Sequence, residues 1–551
     1  MLAACGGGGG SPPPPPPAPS ITKAQAYSFL NQATFGATET EAQRLIGLGD
    51  STNAYGRWID EQLATPPTTQ LGYVQAGLPN PIPTGFNIGS LNAQRQDIWF
   101  QNSVRSTDQL RQRVAWALSQ TMVVSQVSLV NYPFGLADYY DMLARNAFGD
   151  FRRLVEDVTL HPMMGVYLSM LGNQKPNTAL NIRPDENYAR ELMQLFTVGL
   201  VELNADGTVK LDAQQNPIPT YDQSIIEGFA HVYTGWKWAC AQGSPANCSF
   251  TNTRATGANQ ILPMQAFPEQ HDTGTKKILS YGAAARTTIP AGQPPAQDLR
   301  DALDNIVGHP NIAPFISKQL IQKLVTSNPS PQYVQRIAQV FENDGRGQRG
   351  NLGAVVKAVL LDTEARSAVT GAATAVAGKT KEPLLRLTQF WRAYGGAAQS
   401  GKFLNINAQG NFGQGPLTAA SVFNFFSPSF APPGEISNQN FVAPELQIAS
   451  EYQNTLVTNY FYSQIFSRNS RSGVTNPDLV VIDIEPEIAL AGNPPDLVAR
   501  IADRLLAGQI STTLRAEAEA NVGRVAATLP AQRVAEALWL IASSPEFAVQ
   551  R

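Results

Sequence analysis

The chain has 551 residues, enough for three or four domain-sized units, with 43% hydrophobic residues, only 15% charged residues and a net charge of −3. This composition excludes a disordered polyelectrolyte, and the slightly negative balance excludes a basic field for nucleic acid. No run of about 18 apolar residues occurs, so no transmembrane helix is expected.

The first residues, Met1-Leu2-Ala3-Ala4-Cys5, end in Leu-Ala-Ala-Cys, a pattern that resembles a bacterial lipobox. In that motif the small residues fit the signal peptidase and the Cys5 thiol takes the lipid. Gly6 to Gly10, Ser11 and Pro12 to Pro17 follow. Glycines give a flexible tether and prolines a stiff polyproline II spacer of about 3.1 Å per residue. Residues 1–20 are therefore expected to be a lipid anchor and stalk, holding the rest in the bacterial cell envelope outside the cytoplasm. Four residues before Cys5 are fewer than a signal peptide needs. Either the true start lies upstream or the chain is a trimmed form; an accidental match in a low-complexity tail is the alternative.

Beyond the stalk the pattern is mainly helical. Ile21 to Phe35 is periodic and stops at Gly36. Thr38 and Glu41 form a capping box for the next helix, which ends near Gly49. Helical stretches follow in 97–125, 138–146 and 151–160, and His161-Pro162 restarts a helix with Pro in its first turn. Val201 to Leu211, with Asp206-Gly207 between alternating residues, predicts a β-hairpin. Residues 242–300 are rich in Gly, Pro, Thr and Asn and read as loop. Near its start Cys240 and Cys248, besides Cys5 the remaining cysteines, are spaced for a tight loop. In an oxidising compartment they are expected to pair, which would stabilise by roughly 2–3 kcal/mol; two free thiols are the alternative. Helices resume over 296–366, 381–394, 446–467 and 495–547, around an irregular aromatic stretch at 400–445. No convincing linker lies between 21 and 551. The expected fold is mainly α: a single large multi-helical domain with one small β-hairpin and long irregular loops, with sub-lobes near 21–300 and 301–551.

Gly345-Arg-Gly-Gln-Arg-Gly350 has the letters of a dinucleotide-binding motif, but a helical pattern precedes it where that chemistry needs a strand, so it reads as a helix–helix turn. Glu202 to Gly207 resembles half an EF-hand loop, but the position for the bidentate acid is Ala213.

Two polar helices remain as candidate chemistry. In Arg183-Pro-Asp-Glu-Asn-Tyr-Ala-Arg-Glu191, continuing to Gly199, the wheel puts Tyr188, Leu192, Leu195 and Phe196 on one face. Glu186, Asn187, Arg190, Glu191 and Gln194 fall on the other, with Glu186 and Arg190 spaced to pair. This is either a solvated amphipathic face or a buried network lining a pocket. Four charges within seven positions are exceptional in so weakly charged a chain, so Arg190 and Glu191 are expected to be buried. In the second helix Thr220 and Gln223 make a capping box, and Ser224, Glu227 and His231 share a face apart from the apolar stripe. Glu227 and His231 suit a hydrogen bond, a metal site or an acid/base pair, although two ligands do not make a site. His271-Asp272 lies in a loop, where a polar pair is more site-like. His161 and His309 each precede a proline at a helix start and read as local structure.

These motifs, in this order, resemble the bacterial domain-of-unknown-function 1800 family over nearly all of 21–551. The resemblance rests on Leu30-Asn-Gln-Ala-Thr-Phe-Gly36, Asp185-Glu-Asn-Tyr-Ala-Arg-Glu191, Tyr233-Thr-Gly-Trp236, His271-Asp272 and Ser543-Ser-Pro-Glu-Phe547. It implies an exported protein, often lipid-anchored, whose members occur beside a second exported family that looks sulfatase-like. Many members carry a Trp-His-Asn-His-Phe segment that invites a metal. Here the corresponding stretch is Trp116 to Met122 without either histidine, which puts a metal there in doubt.

Two functions follow. The first is an extracytoplasmic hydrolase acting on a polymer or glycan. Its catalytic groups would come from Glu186, Arg190, Glu191, Glu227, His231, His271 and Asp272; Arg183, Asn187 and Trp236 would bind substrate. No cofactor is required, and a divalent metal is compatible. The second is a non-catalytic lipoprotein that presents or stabilises the sulfatase-like partner, docking it on the four phenylalanines of Val422 to Phe430. Converging carboxylates in a pocket would favour the first, and a flat exposed aromatic patch the second.

Overall fold

In the computed structural model, residues 20–239, 258–367, 378–404, 406–470 and 474–550 are described. Apolar periodicity becomes helix along most of this length, and the helix starts follow simple chemistry. Thr22 and Gln25 form a reciprocal capping box ahead of Lys23–Ala33. Thr38 caps Glu39–Gly47 through its side chain, but the expected capping box is not completed, because the Glu41 carboxylate turns to Arg44 and the Trp58 indole. Proline opens Pro133–Asn146, Pro162–Tyr167, Pro295–Val307, Pro331–Glu342 and Pro383–Ala393, where its missing N–H costs nothing.

The fold is mainly α and forms a single domain. One contiguous apolar core runs from Ile21 to Phe547. Trp58, Trp99, Trp116 and Trp391 are fully buried in it. Trp99 meets Phe35, Phe100 and Trp116 with ring centroids 5.4, 5.0 and 5.1 Å apart. Full burial of a side chain of Phe size contributes roughly 1.5–3 kcal/mol, so these aromatic side chains hold four helices together. Lys23–Ala33 packs on Pro494–Leu506, and Val549–Gln550 pairs antiparallel with Lys379–Thr380, which closes the last described residues onto the body.

The β-structure is slight. Besides the pair just named, Trp236–Lys237 pairs with Gln265–Ala266 and Lys276–Lys277 with Thr288–Ile289. The 201–219 region forms a ribbon of isolated bridges: Leu203 opposes Val209 around Asp206-Gly207, and Leu211 opposes Pro217. Gly207 takes φ +76°, the left-handed conformation the turn requires. The 343–350 glycine stretch is a turn between Pro331–Glu342 and Leu352–Leu361, as its sequence context requires.

Two local expectations need correction. The second polar helix is Gln223–Val232 and its cap is Asp222, which accepts from the Ile225 N–H; Thr220 instead donates to the Gly199 carbonyl at 2.5 Å. The first polar helix does not start at Pro184. Regular α-helix covers Asn187–Glu191 and gives way to a π-helical turn over Leu192–Thr197.

Candidate functional site

Asn173 ties the two polar helices together. Its side-chain oxygen accepts from the Asp185 N–H at 2.8 Å, and its amide nitrogen lies 3.3 Å from the Asp185 carbonyl and 3.4 Å from that of Ala230. Asp185 in turn accepts from the Asn187 N–H, which sets the start of the first helix. A row of polar side chains then crosses from one helix to the other. Arg190 donates to Glu186 at 2.8 Å, and Gln223 donates to both Glu186 oxygens at 3.0 and 2.9 Å and reaches Glu227 at 3.5 Å. The row faces solvent: the Arg190 and Glu186 side chains are 40% and 33% exposed. Arg190 therefore does not belong to a buried network, contrary to the expectation from composition.

Glu191 does. The wider π turn that follows it shifts the helical register, and Thr197 bonds back to the Leu192 carbonyl at 2.6 Å. Glu191 ends up buried, with Oε2 lacking any hydrogen-bond partner. Burial pushes its carboxyl above the usual range, and Arg190 offsets only part of this. Burial also pushes the Tyr167 and Tyr221 hydroxyls up to about 12, with the Glu191 charge adding to both.

The strongest geometry lies at the C-terminal end of Gln223–Val232. His231 Nδ1 is 2.6 Å from Asp272 Oδ2, and the two side chains are 33% and 14% exposed. An ionised carboxylate only accepts, so the ring must carry its proton on Nδ1, leaving Nε2 with no hydrogen bond among the described residues. Burial works against ionisation of Asp272, but the bonds from His231 and the Gly274 N–H and the nearby Lys276 outweigh it and hold the carboxyl below its ordinary range. Glu227 is solvent-exposed one turn earlier and does not pair with His231.

A network centred on the buried Lys276, His271, Asp298 and Thr234 holds this pair from behind. Lys276 donates to the carbonyls of Asp272 at 2.6 Å and Gly274 at 2.8 Å and pairs with Asp298 Oδ2 at 2.7 Å. His271 Nε2 reaches the same Asp298 oxygen at 3.0 Å, its Nδ1 faces the Thr234 carbonyl at 2.9 Å, and Gln293 donates to Asp298 Oδ1 at 2.9 Å. The Thr234 hydroxyl donates to the His231 carbonyl at 2.7 Å and accepts from the Asp272 N–H at 2.9 Å, joining helix to loop. Glycine permits both approaches. A Cβ on Gly228 would sit 1.9 Å from the Lys277 carbonyl, and one on Gly235, at φ +81°, 2.8 Å from that of Phe267.

His231 and Asp272 thus come together and His271 supports them, whereas Glu186, Arg190 and Glu227 form the neighbouring surface row. Arg183 and Asn187 are exposed beside it, and Arg183 has no ionic partner among the described residues. Trp236 is only 4% exposed, so it is a core residue and not the substrate-binding side chain expected; Trp238 stacks on Tyr132 at 6.0 Å. Cys5, Cys240 and Cys248 lie outside the described residues. His161 caps its helix through Nδ1, accepting from the Met163 N–H, and His309 Nδ1 accepts from the Asn311 N–H in the turn just before the next helix. Among the described residues no group of three or more His, Cys, Asp or Glu side chains is placed to hold a metal.

Sequence reasoning missed Asp298, Lys276, Thr234 and Gln293. It also missed a second buried centre. Glu382 Oε2 accepts from Trp116 Nε1, Gln120 Nε2 and Gln414 Nε2 at 2.8, 2.9 and 2.8 Å, and Lys379 bridges Glu382 Oε1 and Glu445 at 3.8 and 2.9 Å. Lys323, pushed down to about 8 by burial, adjoins it through Gln120. All these side chains are buried, and the centre joins helices far apart in the chain.

Comparison with known families gives one match: the model described as protein of unknown function (DUF1800) covers residues 28–549. No curated protein and no solved structure matches significantly.

Proposed function

The chain belongs to the DUF1800 family, and from its geometry we propose an extracytoplasmic hydrolase acting on a polymer or glycan of the cell envelope. The observation that carries this reading is the His231–Asp272 pair, with one ring nitrogen fixed by a carboxylate and the other open. That is the arrangement of a general base and its orienting group. His231 Nε2 takes a proton from water as the water oxygen attacks the scissile carbon, Asp272 stabilises the imidazolium that forms, and the imidazolium returns that proton to the leaving atom as the scissile bond breaks. Glu227, one turn away, supplies the second carboxyl. Arg183 and Arg190, on the same surface, hold anionic groups of a long substrate. An open row of polar groups suits a polymer better than a small molecule.

The Leu-Ala-Ala-Cys pattern supports a lipid on Cys5, with the Gly/Pro stalk spacing the catalytic body from the membrane. A Cys240–Cys248 disulfide accords with that compartment. The partner-presenting reading has less support. Phe425 stacks on Trp116 at 6.4 Å and Phe426 lies beneath Lys323, leaving Phe423 as the exposed phenylalanine of that loop.

The test is product release from purified peptidoglycan and envelope polysaccharides by the parent, His231→Ala and Asp272→Asn. The parent is expected to release soluble fragments, and His231→Ala to lose at least about 100-fold at unchanged melting temperature. Full activity in His231→Ala, or no release by the parent from any of these polymers, would overturn the proposal.

A further inference from the structure

The motifs Leu30 to Gly36 and Thr38/Glu41 take no part in the His231 centre. They build a different feature, a cleft of about 350 Å3 between the 39–47 and 54–64 helices and the 383–393 helix. Its size is at the lower end of the roughly 300–1,000 Å3 of small-molecule sites. Gly36, behind the cleft, anchors Arg392 through its carbonyl. At φ +133° it has no room for a Cβ, which would lie 2.4 Å from the Gln389 backbone, so the chain runs directly against the 383–393 helix.

The lining is polar and balanced. On one wall Arg44 bridges Glu41 and Glu61, and Glu41 also accepts from the buried Trp58 indole. On the opposite wall Arg392 is fixed through Nε to the Gly36 carbonyl and through Nη1 to that of Val104. Its Nη2 has no hydrogen bond among the described residues. Burial pushes this guanidinium down to about 10, a sign that water solvates it poorly. Thr38 and Thr107 add hydroxyls whose protons are not donated within the described structure. Two guanidinium groups against two carboxylates leave no net charge, so neither an anion nor a cation is favoured. Donors and acceptors both line the space, which matches a neutral ligand whose hydroxyls each donate and accept.

We propose that this cleft is a binding site for a neutral saccharide of one or two residues. Ligand hydroxyls donate to Glu41 and Glu61 and accept from Arg392 Nη2 and Arg44. The site is separate from the His231 centre and stands whether or not that centre is catalytic.

The experiment is saturation-transfer NMR with titration on the full chain, using cellobiose, maltose and N,N′-diacetylchitobiose as probes and galacturonate as the charged control. At least one neutral probe is expected to bind saturably. Thr107→Trp, at an exposed position, fills the cleft and should abolish that binding at unchanged melting temperature. Glu61→Gln should weaken it several-fold. Binding by none of the three neutral probes, binding that survives Thr107→Trp, or tighter binding of galacturonate than of every neutral probe would each overturn the proposal.

Discussion

Replacing Asp298 by alanine should be among the most damaging single changes to the 271–276 loop. The Asp298 and Lys276 side chains are 0% and 1% exposed, 2.7 Å apart, and Asp298 also meets His271 at 3.0 Å and Gln293 at 2.9 Å. Its loss leaves a buried ammonium with the Asp272 and Gly274 carbonyls and the more distant Asp272 carboxylate, 4.0 Å away. Removing one member of such a pair typically costs about 3–5 kcal/mol. For 551 residues, an unfolding entropy of about 2.1 cal/mol/K per residue makes this a fall of only about 3–4 °C in melting temperature. Urea denaturation followed by tryptophan fluorescence is the better assay. Adding Lys276→Met removes the stranded charge, so the double variant should recover about 2–3 kcal/mol of the loss. The pH dependence has a definite sign. Burial opposes ionisation of Asp298, but His271, Lys276 and Gln293 together hold its carboxyl below 3.8. Its stabilisation is therefore present above that value and lost as pH falls through the lower folded value, and the gap between parent and Asp298→Ala should narrow in acid. A cost within about 0.5 kcal/mol, or a double variant whose losses simply add, would refute the argument.

Glu191→Gln should raise stability at pH 7, because the folded state raises the Glu191 carboxyl above 4.5 and the penalty for ionising it grows as pH rises through that range; the gain should vanish near pH 4, and a loss at pH 7 would reveal a partner for the carboxylate. Arg190→Ala should cost about 0.2–1 kcal/mol, since its pair with Glu186 is well exposed; a loss of several kcal/mol in urea denaturation would restore the buried reading. Cys5→Ser in the full precursor should move the protein from the detergent phase to the soluble phase, and unchanged partitioning would remove the lipid anchor. Non-reducing mass spectrometry of exported protein should find Cys240 linked to Cys248, and two alkylatable thiols would exclude the bond.

The helical class, the Asp206-Gly207 turn and the local roles of His161 and His309 were legible because each is written in neighbouring residues. The site was legible only in part. His231 stood out on the polar face of its helix and His271-Asp272 as a polar pair in a loop, but their pairing is long-range: His231 was set against Glu227, four residues away, when its partner is 41 residues on. Asp298 was hidden because an acid in the first turn of a helix is ordinary dipole chemistry. Glu191 is buried as expected, but Arg190 was grouped with it because the wheel puts both on the polar face, and only packing shows that Arg190 turns to the exposed Glu186. Trp236 shows the same limit, as its type suits substrate binding or a core equally and only packing decides.

The central claim is that Asp272 holds the His231 ring with Nδ1 protonated and Nε2 free to accept a proton. Long-range 15N NMR of the ring nitrogens measures this directly. With only four histidines in the chain, His231→Ala assigns the signal by its disappearance. The account predicts the Nδ1–H tautomer for neutral His231, converting to a mixture in Asp272→Asn. An Nε2–H tautomer in the parent would contradict it.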